Sequence, residues 1–210
     1  SMTKSMALLV ESYIGRNSPV IGNFVDEFSL EKYRRKNQLK GAYKFVYTGC
    51  LTNGKQPSLL VSAISELLDR DLNVELDILG MGPLLAPLRL QVNNLSKPDA
   101  VNFYGFLEKP YTKVSNADVL VLPSLTEGVS RSVLEAFAIG RPAIVSDVPG
   151  CREIVDDAKN GLICQVKSSV DLAKKMVSIM ELSDEDRFRY GENGRKKVES
   201  NFDEKIVINA

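Results

Sequence analysis

Short apolar runs separated by stretches of helical periodicity constrain this chain more than any other feature. The runs occupy residues 43–48, 74–79, 101–104, 118–122, 142–146 and 162–166. Each is too short for a helix, and Val119-Leu-Val-Leu122 is apolar on every side, as a strand buried on both faces must be. Helical patterns fall over residues 57–69, 84–93, 111–116, 130–139, 170–180 and 184–200, the last strongly charged. Strands that alternate with helices imply a parallel sheet with right-handed crossovers. The expectation is an α/β fold with one parallel sheet of about six strands flanked by helices. Ligands in such sheets bind beyond the carboxyl ends of the strands. A further short helix is expected over residues 4–15, with Met6, Leu9, Val10, Tyr13 and Ile14 on one face.

The loop after the fourth run carries the chemistry. Pro123 ends that run, and Gly128 and Ser130 supply turn residues and a candidate N-cap. Val133, Leu134, Phe137 and Ala138 have helical spacing, and Gly140 sits where a helix stops. A helix that starts near Ser130 presents free backbone N–H groups to phosphate oxygens. Glu127 lies just before it and Glu135 about one turn inside, leaning toward the N-terminus. Both carboxylates then reach a ligand lying across the helix start, and a carboxylate suits a sugar diol. Alone, the pair reads first as the ordinary compensation of a helix dipole. The whole string carries more: Pro-Ser, Glu-Gly, Leu-Glu-Ala, Gly-x-Pro and Pro-Gly-Cys-Arg-Glu follow one another between residues 123 and 153.

That string resembles the donor-site signature of retaining nucleotide-sugar glycosyltransferases with two Rossmann-like domains. It is most similar to their large fourth family, whose hallmark is Glu, seven residues, Glu. The resemblance runs over residues 18–202 and implies one Rossmann-like, donor-binding domain over 19–202. Residues 1–18 would be a helix and linker from an absent acceptor domain, and 203–210 a tail. Residues 18–28 resemble the family's Ile-Pro-Asn-Gly-Val-Asp segment, with Gly22 and Phe24 departing from it.

The resemblance also implies roles. Glu127 would face the donor sugar, with Gly128, Val129 and Ser130 beside it, and Glu135 would hold the ribose. Residues 49–55 resemble the Gly-Arg-Leu-x-x-x-Lys turn that binds the diphosphate. Gly49 and Lys55 match, whereas Cys50 stands in the place of Arg. Lys55 and Glu127 are therefore the catalytic candidates. Gly80 and Gly82, in Gly-Met-Gly-Pro, resemble the family's Gly-x-Gly-Pro. Glycines there admit a ligand to the backbone or simply make a tight turn. Gly105, Phe106 and Leu107 resemble the segment beside the nucleotide base, Phe106 reading as a packing side chain. Arg131 is either a phosphate ligand or an exposed helix cation. Glu153 caps or packs the turn after Pro149-Gly150. Arg195, Lys196 and Lys197 read as a solvated helix face.

Composition narrows the classes. The 210 residues include no histidine, which removes imidazole general-base catalysis and imidazole metal ligation. No metal and no cofactor is expected beside the donor, a uridine- or guanosine-diphosphate sugar. Lys plus Arg (27) equals Asp plus Glu (27), so charge gives no sign of nucleic acid. Cys50, Cys151 and Cys164 are widely spaced and form no Cys-x-x-Cys, the usage of a reduced, cytoplasmic protein. Membrane contact is expected only through the full-length protein or a lipid-linked acceptor, at the inner face. The leading reading is the donor-binding half of a glycosyltransferase in polysaccharide or glycolipid synthesis, inactive alone. The alternative is a non-catalytic nucleotide-binding or interaction module on the same fold, which Cys50 favours. A dehydrogenase-like reading is poor, because no Gly-x-Gly-x-x-Gly opens the first helix.

Overall fold

The computed structural model describes residues 30–34 and 41–202. The helix expected over 4–15, the segment 18–28 and the tail 203–210 lie outside the described residues. So does an apolar docking face expected around Ile14, Val20, Ile206 and Ile208.

The strands are β1 (Tyr43–Thr48), β2 (Val74–Leu79), β3 (Val101–Gly105), β4 (Val119–Leu122), β5 (Ala143–Ser146) and β6 (Gly161–Cys164). They form one sheet in the order β3-β2-β1-β4-β5-β6, and every pairing is parallel. The chain thus winds outward from β1 to β3 and then returns to place β4 on the other side of β1. The strand order reverses between β1 and β4, and the carboxyl ends of those two strands are where sheets of this kind place their ligand crevice.

The main helices are α1 (Pro57–Asp69), α2 (Leu85–Asn93), α3 (Tyr111–Ser115), α4 (Arg131–Ala138), α5 (Pro149–Arg152), α6 (Ser169–Met180) and α7 (Asp184–Asn201). Helix α1 packs on α2 and α6, while α4 packs on α3 and α7. These two groups cover both faces of the sheet, which is why β4 and β5 are buried along their whole length. Ser168 and Ser183 start α6 and α7 by accepting the N–H of Asp171 and Asp186.

Element positions agree with the sequence patterns to within two residues, with two exceptions. Helix α5 is not expected from Pro149-Gly150, which reads as a bare turn. The second exception is the basic run on α7. Arg195 is not solvated: it is 8% exposed, donates to the Ala138 carbonyl at 3.0 Å and pairs with Glu31 and Glu199. Lys197 pairs with Asp156 at 2.8 Å, which leaves Lys196 as the exposed member. The cause lies in two glycines of α7. A Cβ at Gly191 would stand 2.1 Å from the Gly140 carbonyl oxygen, and one at Gly194 would stand 2.7 Å from the Phe137 ring. Their absence lets a polar helix lie directly on the end of α4 and draws Arg195 into the contact.

Candidate functional site

The first wall of the crevice is a ledge of three backbones. The loop after β1 donates Gly49 N–H to the Leu79 carbonyl at 3.0 Å and Leu51 N–H to Met81 at 2.9 Å. Gly80 N–H goes to the Gly105 carbonyl at 2.7 Å. A Cβ at Gly80 would stand 1.9 Å from the Gly49 oxygen, and one at Gly82 would stand 2.5 Å from the Leu51 oxygen. The glycines at 80 and 82 are thus required by the neighbouring loop. The close approach at these two glycines is made by this chain's own backbone, whatever else the loop admits.

Gly105 has φ +69° with open space around its Cβ position, so it turns the chain left-handed with nothing pressing on it. That turn throws Phe106 outward. The ring is 73% exposed, so the expectation that Phe106 packs is corrected. Phe106, Leu107 and Pro110 face Thr48, Gly49, Cys50 and Met81 across a groove of about 380 Å³. Cys50 is an exposed thiol on this groove. The groove is mostly apolar, with a backbone rim, and it suits a flat heterocycle.

The second wall is the loop after β4. Ser124 is fully buried, and Leu125 N–H donates to the Gly54 carbonyl at 2.8 Å, tying this loop to the first. Across that seam Lys55 Nζ donates to Glu127 Oε1 at 2.5 Å, and Ser124 Oγ donates to the same oxygen at 2.6 Å. The Glu127 side chain is 8% exposed and that of Lys55 32%. The two catalytic candidates, 72 positions apart in the chain, therefore form one ion pair over the crevice. Lysine is the more exposed member, whereas the carboxylate is covered and also accepts from the serine. Ser124 was not singled out by sequence reasoning. Its signal is the Pro-Ser that ends the apolar run.

Helix α4 opens at the same place. Ser130 holds the N-cap position with extended dihedrals but makes no capping hydrogen bond, and its hydroxyl meets Ser132 Oγ at 3.1 Å instead. The Ser130 side chain therefore leaves the first N–H groups of α4 uncapped, at the positive end of the helix dipole. Arg131 Nε donates to Glu135 Oε1 at 3.1 Å. Arg131 is mostly exposed and Glu135 mostly covered, 14% exposed at the side chain. Burial holds the Glu135 carboxyl above the ordinary carboxylate range, and Arg131 partly offsets it.

The start of α5 props the loop from behind. Gly150 lies so close that a Cβ there would stand 2.1 Å from the Gly128 oxygen and 2.3 Å from that of Glu127. Cys151 beside it is buried, and burial pushes its thiol up to about 12, which leaves it unreactive. Glu153 closes α5 at its C-terminal end, as expected of a residue capping that turn. Among the described residues no cluster of three or more Cys, Asp or Glu side chains is placed to hold a metal.

A parallel α/β sheet with a cation, two carboxylates and a helix N-terminus at its switch point has the elements to hold an anionic, hydroxylated ligand. Comparison with known proteins gives the family. The family described as glycosyl transferases group 1 matches residues 29–197, and the chain belongs to that family. The O-antigen biosynthesis glycosyltransferase WbnH of Escherichia coli is 31% identical over 153 residues, covering 73% of this chain and 42% of its own length. The N-acetyl-alpha-D-glucosaminyl L-malate synthase of Bacillus anthracis is 28% identical over 194 residues, covering 88% and 50%. The chain thus spans half or less of the length of these relatives. Among solved structures, a variant of S. aureus TarM in complex with UDP superposes with a TM-score of 0.87 at 18% identity, covering 99% of this chain and 41% of that one. The pneumococcal O-GlcNAc transferase GtfA, in complex with UDP and GlcNAc, gives 0.78 at 20%, covering 99% and 42%. At such identities the likeness is one of fold. No helix among the described residues is long and apolar enough to cross a membrane.

Proposed function

We propose that this chain is the donor-binding part of a retaining glycosyltransferase. The full protein moves a sugar from a uridine or guanosine diphosphate to an alcohol in polysaccharide or glycolipid synthesis. The observation that carries the reading is the Lys55–Glu127 pair, set over the crevice between β1 and β4 beside the open start of α4. The family to which the chain belongs supports it, as do structural neighbours bound to UDP.

In this reading the base enters the groove at Phe106, Leu107 and Gly105, the ribose diol meets Glu135, and the diphosphate lies on the N-terminus of α4. Lys55 leaves Glu127 for the leaving phosphate, and Arg131 supplies a second cation. The bond from the sugar anomeric carbon to the phosphate oxygen breaks as the bond to the acceptor oxygen forms. The acceptor's proton passes to the departing phosphate. Glu127, freed of its lysine, turns its carboxylate to the donor sugar. The step uses no protein nucleophile and no metal, and Lys55 and the helix dipole carry the developing charge. We place the acceptor site in a second domain and the protein in the cytoplasm, touching the membrane through a lipid-linked acceptor. The purified 210-residue chain is then expected to bind nucleotide and transfer no sugar. Transfer to any acceptor would overturn that assignment.

Calorimetric titration tests the binding claim. UDP or GDP should bind, and adenine dinucleotides should not. Glu135→Ala should weaken the favoured nucleotide by about tenfold or more, since a hydrogen bond to a charged group contributes about 1.5–3 kcal/mol. Unchanged affinity in a folded variant would remove the ribose role from Glu135. Absence of binding by either nucleotide would favour the interaction-module reading, to which the Cys50 departure points.

A further inference from the structure

Ser124 is fully buried, yet it is polar and stands at the mouth of the sheet. It follows β4 after Pro123, and its neighbour Leu125 is bonded to the Gly54 carbonyl. The backbone that carries the hydroxyl is therefore fixed from both sides. The hydroxyl donates to Glu127 Oε1 at 2.6 Å and makes no other hydrogen bond among the described residues. Ser124 and Glu127 have the Ser-x-x-Glu spacing of a helix capping box, in which the hydroxyl would accept a backbone N–H. No helix starts there, and the hydroxyl goes to the carboxylate instead.

Lys55 donates to the same oxygen, so both donors meet Oε1 and Oε2 accepts from neither. The two donors hold that oxygen on different terms. A lysine must order a long stem to stay paired, and that entropy opposes the contact. A serine hydroxyl has a single rotor on a backbone already fixed, so it loses little by staying. It also has no other partner to turn to. Parted from Glu127, a buried hydroxyl would stand unsatisfied, which is the unfavourable state for any buried donor.

We propose that Ser124 is a positioning residue for Glu127: it keeps Oε1 when Lys55 leaves for phosphate, so that the carboxylate stays in one orientation and offers Oε2 to a hydroxyl of the donor sugar. Its consequence for the donor rests on the reading of Glu127 as the group that faces that sugar. With Ser124 in place, the lysine can depart without releasing the carboxylate. Without it, the same departure leaves both oxygens unheld, and Glu127 swings among rotamers. The grip on the sugar then loosens just as the phosphate is taken up.

The test separates the positioning from the sugar role. In the isotope-labelled, nucleotide-free chain, three-bond NMR couplings to Glu127 Cγ report its χ1 rotamer. Lys55→Ala stands in for the departed lysine. There Glu127 should keep the single-rotamer couplings of the parent, and Lys55→Ala/Ser124→Ala should lose them to a rotamer average. Averaging already present in Lys55→Ala overturns the proposal, and so does a single rotamer retained in the double variant. Should the double variant fail to fold, Lys55→Ala/Ser124→Cys, whose thiol is a weak donor, carries the same readout. Calorimetry with UDP-glucose and GDP-mannose against UDP and GDP then reads the consequence. In Ser124→Ala the affinity added by the attached sugar should fall about threefold or more, while the bare diphosphates bind as to the parent. An equal fall for both kinds of ligand overturns the proposal and makes Ser124 a packing residue of the loop. Couplings as expected, with the sugar's share of affinity unchanged in both Ser124→Ala and Glu127→Gln, uphold the positioning and remove the sugar role from Glu127.

Discussion

Gly150→Ala is expected to lower the melting temperature by about 2–12 °C and to abolish measurable nucleotide binding. The added methyl would arrive 2.1 Å from the Gly128 oxygen and 2.3 Å from the Glu127 oxygen. Both are backbone atoms, so no side chain can rotate away. Their loop cannot retreat either: Leu125 is bonded to Gly54 in front, and Glu127 is bonded to Lys55 and Ser124. Overpacking of this kind typically costs about 1–3 kcal/mol, and each kcal/mol shifts the melting point of a domain this size by about 2–4 °C. The displacement falls on the one segment that carries Glu127 and leads into α4. Gly54→Ala is the control, since nothing but Thr52 Oγ1 at 3.9 Å lies near its Cβ position and the change should be nearly silent. Calorimetric melting and nucleotide titration check both variants. A Gly150→Ala protein that melts with the parent would show that α5 does not prop the loop.

The strands were legible in the sequence because a segment such as 119–122, apolar on every side and four residues long, fits a buried parallel strand and little else. Helix α4 was legible for the same kind of reason, its apolar face fixing both its phase and its ends. The site was legible residue by residue but not as an arrangement. No sequence period relates Lys55 to Glu127. They meet because the strand order reverses between β1 and β4, and that is a property of the whole sheet. Nor can a Gly-x-Gly string reveal whether the space it leaves is taken by a ligand or, as at Gly80, by the chain itself. The basic run at 195–197 misled for a comparable reason. The signal lay four and one residues upstream, in Gly191 and Gly194, which make α7 thin enough to bury an arginine.

Lys55→Ala should produce two separable losses, and a second substitution should repair only one of them. The first is stability. The Glu127 carboxylate is 8% exposed and would keep Ser124 as its hydrogen-bonding partner. Stranding one member of a fully buried pair costs about 3–5 kcal/mol. Lys55 is a third exposed, so solvent screens part of that, and about 1–2 kcal/mol is the reasonable expectation. The second loss is affinity for the diphosphate. A cation that moves from Glu127 to a phosphate makes a charge-assisted contact of about 1.5–3 kcal/mol, roughly 10- to 150-fold in binding. Binding of the bare nucleoside, which has no phosphate to meet, should hardly change. Glu127→Gln alone keeps a hydrogen-bond acceptor for Ser124 and releases Lys55, so UDP or GDP should bind as tightly as to the parent or more so. In the full-length enzyme the same change should lower turnover, because the group facing the donor sugar has lost its charge. In Lys55→Ala/Glu127→Gln no carboxylate is left stranded, so the melting temperature should return toward that of Glu127→Gln while the diphosphate affinity stays low. Parallel loss of nucleoside and diphosphate affinity in Lys55→Ala would make Lys55 a structural lysine. An affinity rescued together with stability would place the phosphate contact elsewhere in the crevice.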